Sequence, residues 1–204
     1  TGSAAGWAAD AADAAKGGQG TARERALRQI GELVLPLLDK LGDNDPDLLF
    51  EPMAGQGQML CARAGELATY LSAVEHHPKA GVCLDTCHLF AAGHDLAAEG
   101  GVAAMLGELG TVAGGTLTGS TVTGGTETGT GLGRVKLVHA NDSLLGCGSK
   151  RDRHETIGAG QIGTGPFREL LAALPDVPFV VETPGGKAGH ARDVATLKEL
   201  RAAS

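Results

Sequence analysis

Aromatic residues are scarce in this chain. One Trp, one Tyr and four Phe make up 3% of 204 residues, so any core must be aliphatic. Disulfide patterning is also missing. Cys61, Cys83, Cys87 and Cys147 lack the paired spacing of a cross-linked scaffold, and a reducing, cytoplasmic setting is expected. No apolar run approaches the roughly 20 residues of a membrane span, so no membrane role is expected. No charged start followed by an apolar stretch marks a secretory signal. Positive charge is in deficit, with 17 Lys and Arg against 24 Asp and Glu for a net charge of -7. That balance argues against a generally basic nucleic-acid binder. It leaves room for an enzyme whose bound divalent cations supply positive charge locally.

What is present suits one domain. The length allows a sizeable core, and 42% apolar with 20% charged residues is ordinary for a globular chain. A single domain over 1–204 is expected. Apolar residues Leu27, Ile30, Val34, Leu37 and Leu41 recur at helical spacing, with Pro36 a point for a kink. A turn at 43–46 leads into a strand ending at Glu51. A helix over 66–74, a strand over 81–85 and a helix over 101–109 follow, the last with Val102, Met105, Leu106 and Leu109 inward. Residues 110–133 are almost all Gly and Thr and read as a flexible insertion. A strand over 135–139, a long polar loop over 141–165 and a helix over 166–174 come next. A strand over 177–182 and a helix over 191–202, with Val194, Leu197 and Leu200 inward, close the chain. Alternating helices and strands are the grammar of a parallel α/β fold.

The chemistry gathers at strand ends. Four apolar runs close on Glu51, Asp85, His139 and Glu182, and His88 lies three residues beyond Asp85. Asp152-Arg153-His154 adds two candidate ligands at i and i+2. Carboxylate oxygen and imidazole nitrogen suit zinc in catalytic sites, and strand ends of a parallel barrel converge on one rim. Cys83 reads as a core residue. Cys87 approaches the site without being assigned as a ligand. His94 and His190 read as surface or capping residues, and His76-His77 as solvent-facing. The loop Gly55-Gln56-Gly57 permits close approach of backbone to phosphate. Lys150, Arg151 and Arg153 form the one locally basic stretch beside the site and read as a phosphate grip.

Taken together, several segments resemble bacterial endonuclease IV, the zinc-dependent apurinic/apyrimidinic endonuclease family. They are Glu51-Pro52-Met53-Ala54-Gly55-Gln56-Gly57, the stretch GVCLDTCHLFAAG from Gly81, His139-Ala140-Asn141-Asp142-Ser143, KRDRH from Lys150, GAGQIG from Gly158, and Val181-Glu182-Thr183-Pro184. Met53 departs from the family's usual Thr. The resemblance implies a TIM (β/α)8 barrel of the xylose-isomerase-like type, of which this α/β chain supplies about the last four units. It implies three zinc ions in a complete site. Glu51 then corresponds to a bridging carboxylate, Asp85, His139 and Glu182 to ligands of a second metal, and His88, Asp152 and His154 to those of a third. Glu51 and Glu182 are the implied catalytic residues, and Gly55, Gln56, Gly57, Lys150, Arg151 and Arg153 the implied DNA contacts.

The implied partner is double-stranded DNA with abasic sites or blocked 3′ ends, attacked by zinc-activated water, with the full-length enzyme a monomer. Incision 5′ to the lesion would leave a 3′-hydroxyl and a 5′-deoxyribose phosphate. The chain opens on Thr1-Gly2-Ser3, and its first methionine is Met53. A truncated chain is therefore expected, lacking two histidine ligands of the first metal, with two open sheet edges and little activity alone. Two alternatives stand beside this reading: a metal-dependent sugar isomerase or epimerase on a related barrel, and a non-catalytic metal-binding remnant.

Overall fold

A computed structural model describes residues 20–57, 59–111 and 131–203. The Thr1-Gly2-Ser3 start and most of the Gly/Thr-rich segment lie outside the described residues. Helix α1 spans Ala22–Leu38 and begins at Thr21, whose hydroxyl accepts from the Glu24 amide while Glu24 reaches back to the Thr21 amide. That reciprocal pair satisfies two otherwise orphaned donors. Strand β1 is Leu48–Phe50, and a 3-10 turn at Ala64–Glu66 opens helix α2 at Leu67–Ala73. Strand β2 is Ala80–Asp85, α3 is Thr86–Ala91 and α4 is Gly101–Thr111. Strand β3 is Val135–His139, and β4, Asp142–Ser143, pairs antiparallel with β5, His154–Glu155. Helix α5 is Thr164–Ala173, β6 is Phe179–Val180 and α6 is Gly186–Ala202.

The main sheet is parallel, in the order β1-β2-β3-β6. All six residues of β2 are buried, as a strand covered on both faces requires. Register sets the site: Asp85 lies opposite His139, and His139 opposite Val180. Phe50 lies opposite Val82, so Glu51 follows at the level of Cys83. Among the described residues, β1 and β6 each pair on one side only. The core is aliphatic, as composition requires, with Leu67, Leu71, Val82, Leu84, Met105, Leu109, Val138 and Leu170 buried around Phe167. Each such side chain contributes about 1.5–3 kcal/mol relative to exposure. Among the described residues, no helix is long and apolar enough to cross a membrane.

Several sequence expectations need correction. Helix α1 stops at Leu38, short of Leu41, and Pro36 lies inside it. Leu37 is 56% exposed and Leu38 fully buried. At about 100° per residue, Leu38 lies closer than Leu37 to the inward direction of Val34. His88 lies on α3, where the Asp85 side chain caps the helix by accepting from the His88 amide at 2.9 Å. The 141–165 loop contains the β4–β5 hairpin. The last strand shrinks to two residues at a sheet edge, where fewer partners hold it. Helix α6 starts five residues earlier than expected, and Val194 is exposed while neighbouring Asp193 is buried. Asp193 turns inward because it accepts from the Thr183 hydroxyl and the Ile157 amide. Of the two readings of His94, surface or capping, the second holds: it is buried, and its Nε2 accepts from Ala64 at the start of the 3-10 turn.

Candidate metal centre

Seven candidate ligands gather at the carboxyl ends of the four parallel strands, four of them from those strand ends and three, His88, Asp152 and His154, from α3 and the hairpin. Asp85 ends β2 and is fully buried. Its Oδ1 accepts from the His88 amide, and its Oδ2 accepts from the Asn141 side-chain amide at 2.7 Å. The same Oδ2 faces His154 Nε2 at 3.5 Å and His139 Nδ1 at 3.9 Å. Glu51, just past β1, places Oε1 3.2 Å from His139 Nδ1 and 3.3 Å from His88 Nδ1. Glu182, two residues past β6, places Oε2 3.5 Å from His139 Nδ1. Asp152, in the hairpin loop, lies 3.2 Å from His88 Nε2 and 3.1 Å from His154 Nε2.

These groups form overlapping clusters. Ligand atoms of Asp85, His139 and Glu182 lie within 4.8 Å of one another, and so do those of His88, Asp152 and His154. Glu51 joins two further clusters, one with Asp85 and His88 and one with Cys83 and His139.

The imidazoles are prepared for a cation. His88 Nδ1 lies 3.2 Å from the Pro52 carbonyl, and His154 Nδ1 lies 3.3 Å from the Glu182 carbonyl. A proton on each Nδ1 leaves Nε2 free as a ligand, the usual arrangement when a backbone carbonyl fixes the tautomer. Both Nε2 atoms are buried and form no hydrogen bond. They approach the two oxygens of Asp152 closely but without hydrogen-bond geometry. Two orphaned ring nitrogens facing one carboxylate fit a divalent ion with nitrogen and oxygen ligands.

The electrostatics agree. Burial pushes the His88 imidazole down, but the Glu51 hydrogen bond and the Asp85 and Asp152 charges outweigh it and raise it to about 9. Burial pushes the Glu51 carboxyl up, but His88 and His139 outweigh it and hold it below the ordinary carboxylate value. Burial raises the Asp85 carboxyl, against the opposing pull of His88, His154 and Asn141. Without a cation, a proton on His88 is what offsets the acidic groups around it.

Cys83 and Cys87 sit beside this rim, and burial pushes their thiols up to about 12 and 11. Cys83 is buried within β2, as read from the sequence. Cys87 Sγ lies within 4.8 Å of ligand atoms of Asp85 and His154.

The two stretches expected to hold phosphate meet at the end of α3. Gly55 (φ 79°) lies against Ala92, and the Lys150 amide donates to the Ala91 carbonyl at 2.9 Å. Gln56 and Gly57 are exposed, as are Lys150, Arg151 and Arg153. Arg153 folds back, donating to the Asp152 carbonyl at 2.6 Å.

Sequence reasoning quoted Asn141 and Asp142 within a motif but gave them no role. Both are fully buried. Asp142 accepts from the amides of Ser143, Gly158, Gly160, Ile162 and Gly163 and so wraps the GAGQIG loop around itself. Gly160 is required there, since a Cβ would meet Asp142 Oδ1 and the Ser143 carbonyl at 2.5 Å. The available signal was an uninterrupted polar run directly after a buried strand.

A family described as xylose isomerase-like TIM barrel matches residues 7–200. A probable endonuclease 4 of Streptomyces coelicolor is 50% identical over 185 residues, covering 89% of this chain and 57% of that protein. Its counterpart in Nitratidesulfovibrio vulgaris is 38% identical over 187 residues, covering 90% of this chain and 59% of that protein. The crystal structure of endonuclease IV from Thermus thermophilus matches with a TM-score of 0.65 at 33% identity. It covers 87% of this chain, and the chain spans 58% of it. The chain thus spans less than two thirds of the length of these relatives.

Proposed function

Because the chain belongs to the xylose isomerase-like TIM barrel family and resembles the endonuclease IV proteins within it, we propose that it carries the metal-binding part of a zinc-dependent abasic-site endonuclease. The observation that supports this most is the trio of His88, Asp152 and His154, in which both imidazole Nε2 atoms are buried and orphaned, beside a second trio of Asp85, His139 and Glu182. Asp85, His139 and Glu182 would hold one zinc ion, and His88, Asp152 and His154 another, with Glu51 bridging toward a further one. Zinc bound there would supply Lewis acidity at a phosphate and bring the pKa of its bound water down to about 7.

The chain's own groups divide the remaining work. Glu182 is the most open of the seven, with its side chain 52% exposed, so it can orient a water and accept its proton. Asp85 is fully buried and serves only to hold. Gly55, Gln56 and Gly57 offer a permissive backbone, and Lys150, Arg151 and Arg153 offer positive charge, on either side of the α3 end. Together they would seat the phosphates flanking an abasic site in double-stranded DNA, or those at a blocked 3′ end.

Incision of a duplex bearing one abasic site tests this on the intact protein. The expected cut lies 5′ to the lesion, leaves a 3′-hydroxyl and a 5′-deoxyribose phosphate, stops on chelation and returns with zinc. An uncut duplex with turnover of a ketose would replace this reading with a sugar isomerase. Zinc binding with neither activity would leave a metal-binding remnant.

A further inference from the structure

We infer that Asn141 is a positioning residue, whose side chain sets the Asp85 carboxylate and the Glu182 backbone relative to one another so that both meet His139 around one ion. The inference rests on the metal-dependent reading above. Asn141 is fully buried, two residues past His139. Its Nδ2 donates to Asp85 Oδ2 at 2.7 Å, and its Oδ1 accepts from the Glu182 amide at 2.8 Å. One planar amide therefore joins the ends of β2 and β6 across β3.

The amide is itself held. Its backbone N–H donates to the Thr86 hydroxyl at 2.9 Å, and the Thr86 hydroxyl donates to the Asn141 carbonyl at 2.6 Å. Both polar ends of the Asn141 side chain are thus satisfied, with no freedom to turn. Asp85 gains from this directly. With Oδ1 fixed by the His88 amide and Oδ2 by Asn141, the carboxylate plane is locked with Oδ2 toward the imidazoles. Glu182 gains indirectly. The strand before it is two residues long and half open, so pairing alone constrains it weakly. The Asn141 tie places its backbone, while its side chain stays free to meet metal or water. Groups that fix ligand orientation in this way are typically worth about 10–100-fold in metal affinity.

Zinc titration against a chromophoric chelator tests the inference on the intact protein. In a His154→Ala background, the remaining affinity reports the Asp85, His139 and Glu182 trio. There, adding Asn141→Ala is expected to weaken zinc binding about 10–100-fold. In a His139→Ala background, the same substitution is expected to cost less affinity, because Asn141 reaches the remaining trio only indirectly, through the Glu182 carbonyl that faces His154 Nδ1. Unchanged affinity in the first background, or equal losses in both, would overturn the positioning role. If Asn141→Ala yields no soluble protein, Asn141→Ser, whose side chain stops short of both partners, decides by the same pattern. A wild-type protein that binds no zinc would instead remove the metal-dependent reading, and this inference with it.

Discussion

The centre and the edges of the sheet build their ligands differently. At the centre, β2 is six residues long and wholly buried, and it ends on a carboxylate with no exposed surface. At the edges, β1 and β6 have three and two residues, and Glu51 and Glu182 follow them with side chains 27% and 52% exposed. A long central strand fixes the backbone of its terminal residue through the ladder itself. A short edge strand cannot, so neighbouring side chains take over. Glu51 is placed by His88 and His139, and the Glu182 segment by Asn141 and by the adjacent Thr183–Asp193 hydrogen bond.

Substitution at the centre should have the largest effect. Asp85→Asn keeps the shape but removes the charge that faces both His139 and His154. Zinc affinity by chelator competition is expected to fall by two orders of magnitude or more, beyond the roughly 10–100-fold typical of indirect contacts. Unchanged affinity at the trio of Asp85, His139 and Glu182 would show that Asp85 holds no ion there.

At the edge, the effect should move from binding to rate. Glu182→Gln is expected to slow incision of abasic duplex by about 10²–10⁴-fold, the range for a positioned general base, with DNA affinity nearly unchanged. Undiminished cleavage would refute the role given to Glu182.

The contrast between buried and open positions extends to α1. Leu38→Ala should destabilise by about 2–5 kcal/mol in urea unfolding. Leu37→Ala, one residue earlier but exposed, should stay within about 0.5 kcal/mol. Equal losses would mean that the face of α1 bearing Leu37 is covered in the intact protein.

Two buried histidines should give opposite and smaller pH signatures in the metal-free protein. His88 is raised from 6.5 to about 9, so its contribution to stability is full below pH 6.5 and is lost as pH rises through about 9. His94 is lowered from 6.5 by burial, so its contribution is present above pH 6.5 and is lost as pH falls below it. The geometry points the same way, since protonation of His94 Nε2 would break the bond it accepts from Ala64. Unfolding followed across pH in His88→Gln and His94→Gln should flatten the alkaline and acid limbs respectively.

Much of this architecture was legible in the sequence because central strands write themselves plainly. The run from Ala80 to Asp85 is apolar to its last residue, and that residue is a ligand type. Helix faces were harder. Leu37 and Val194 fit the helical period nearly as well as their buried neighbours, and periodicity alone does not say which of two adjacent positions faces inward. The hairpin at 142–155 was invisible because its strands have two residues each and carry no apolar pattern. The ligand types stood out, whereas the polar groups that orient them did not. Asn, Thr and Asp after a strand look like an ordinary turn until their hydrogen bonds are counted.

Zinc-edge anomalous diffraction from crystals of the intact protein tests the centre most directly. The expected result is one peak among Asp85, His139 and Glu182 and a second among His88, Asp152 and His154. Absence of a peak at both trios in zinc-loaded crystals, or zinc bound only elsewhere, would contradict it.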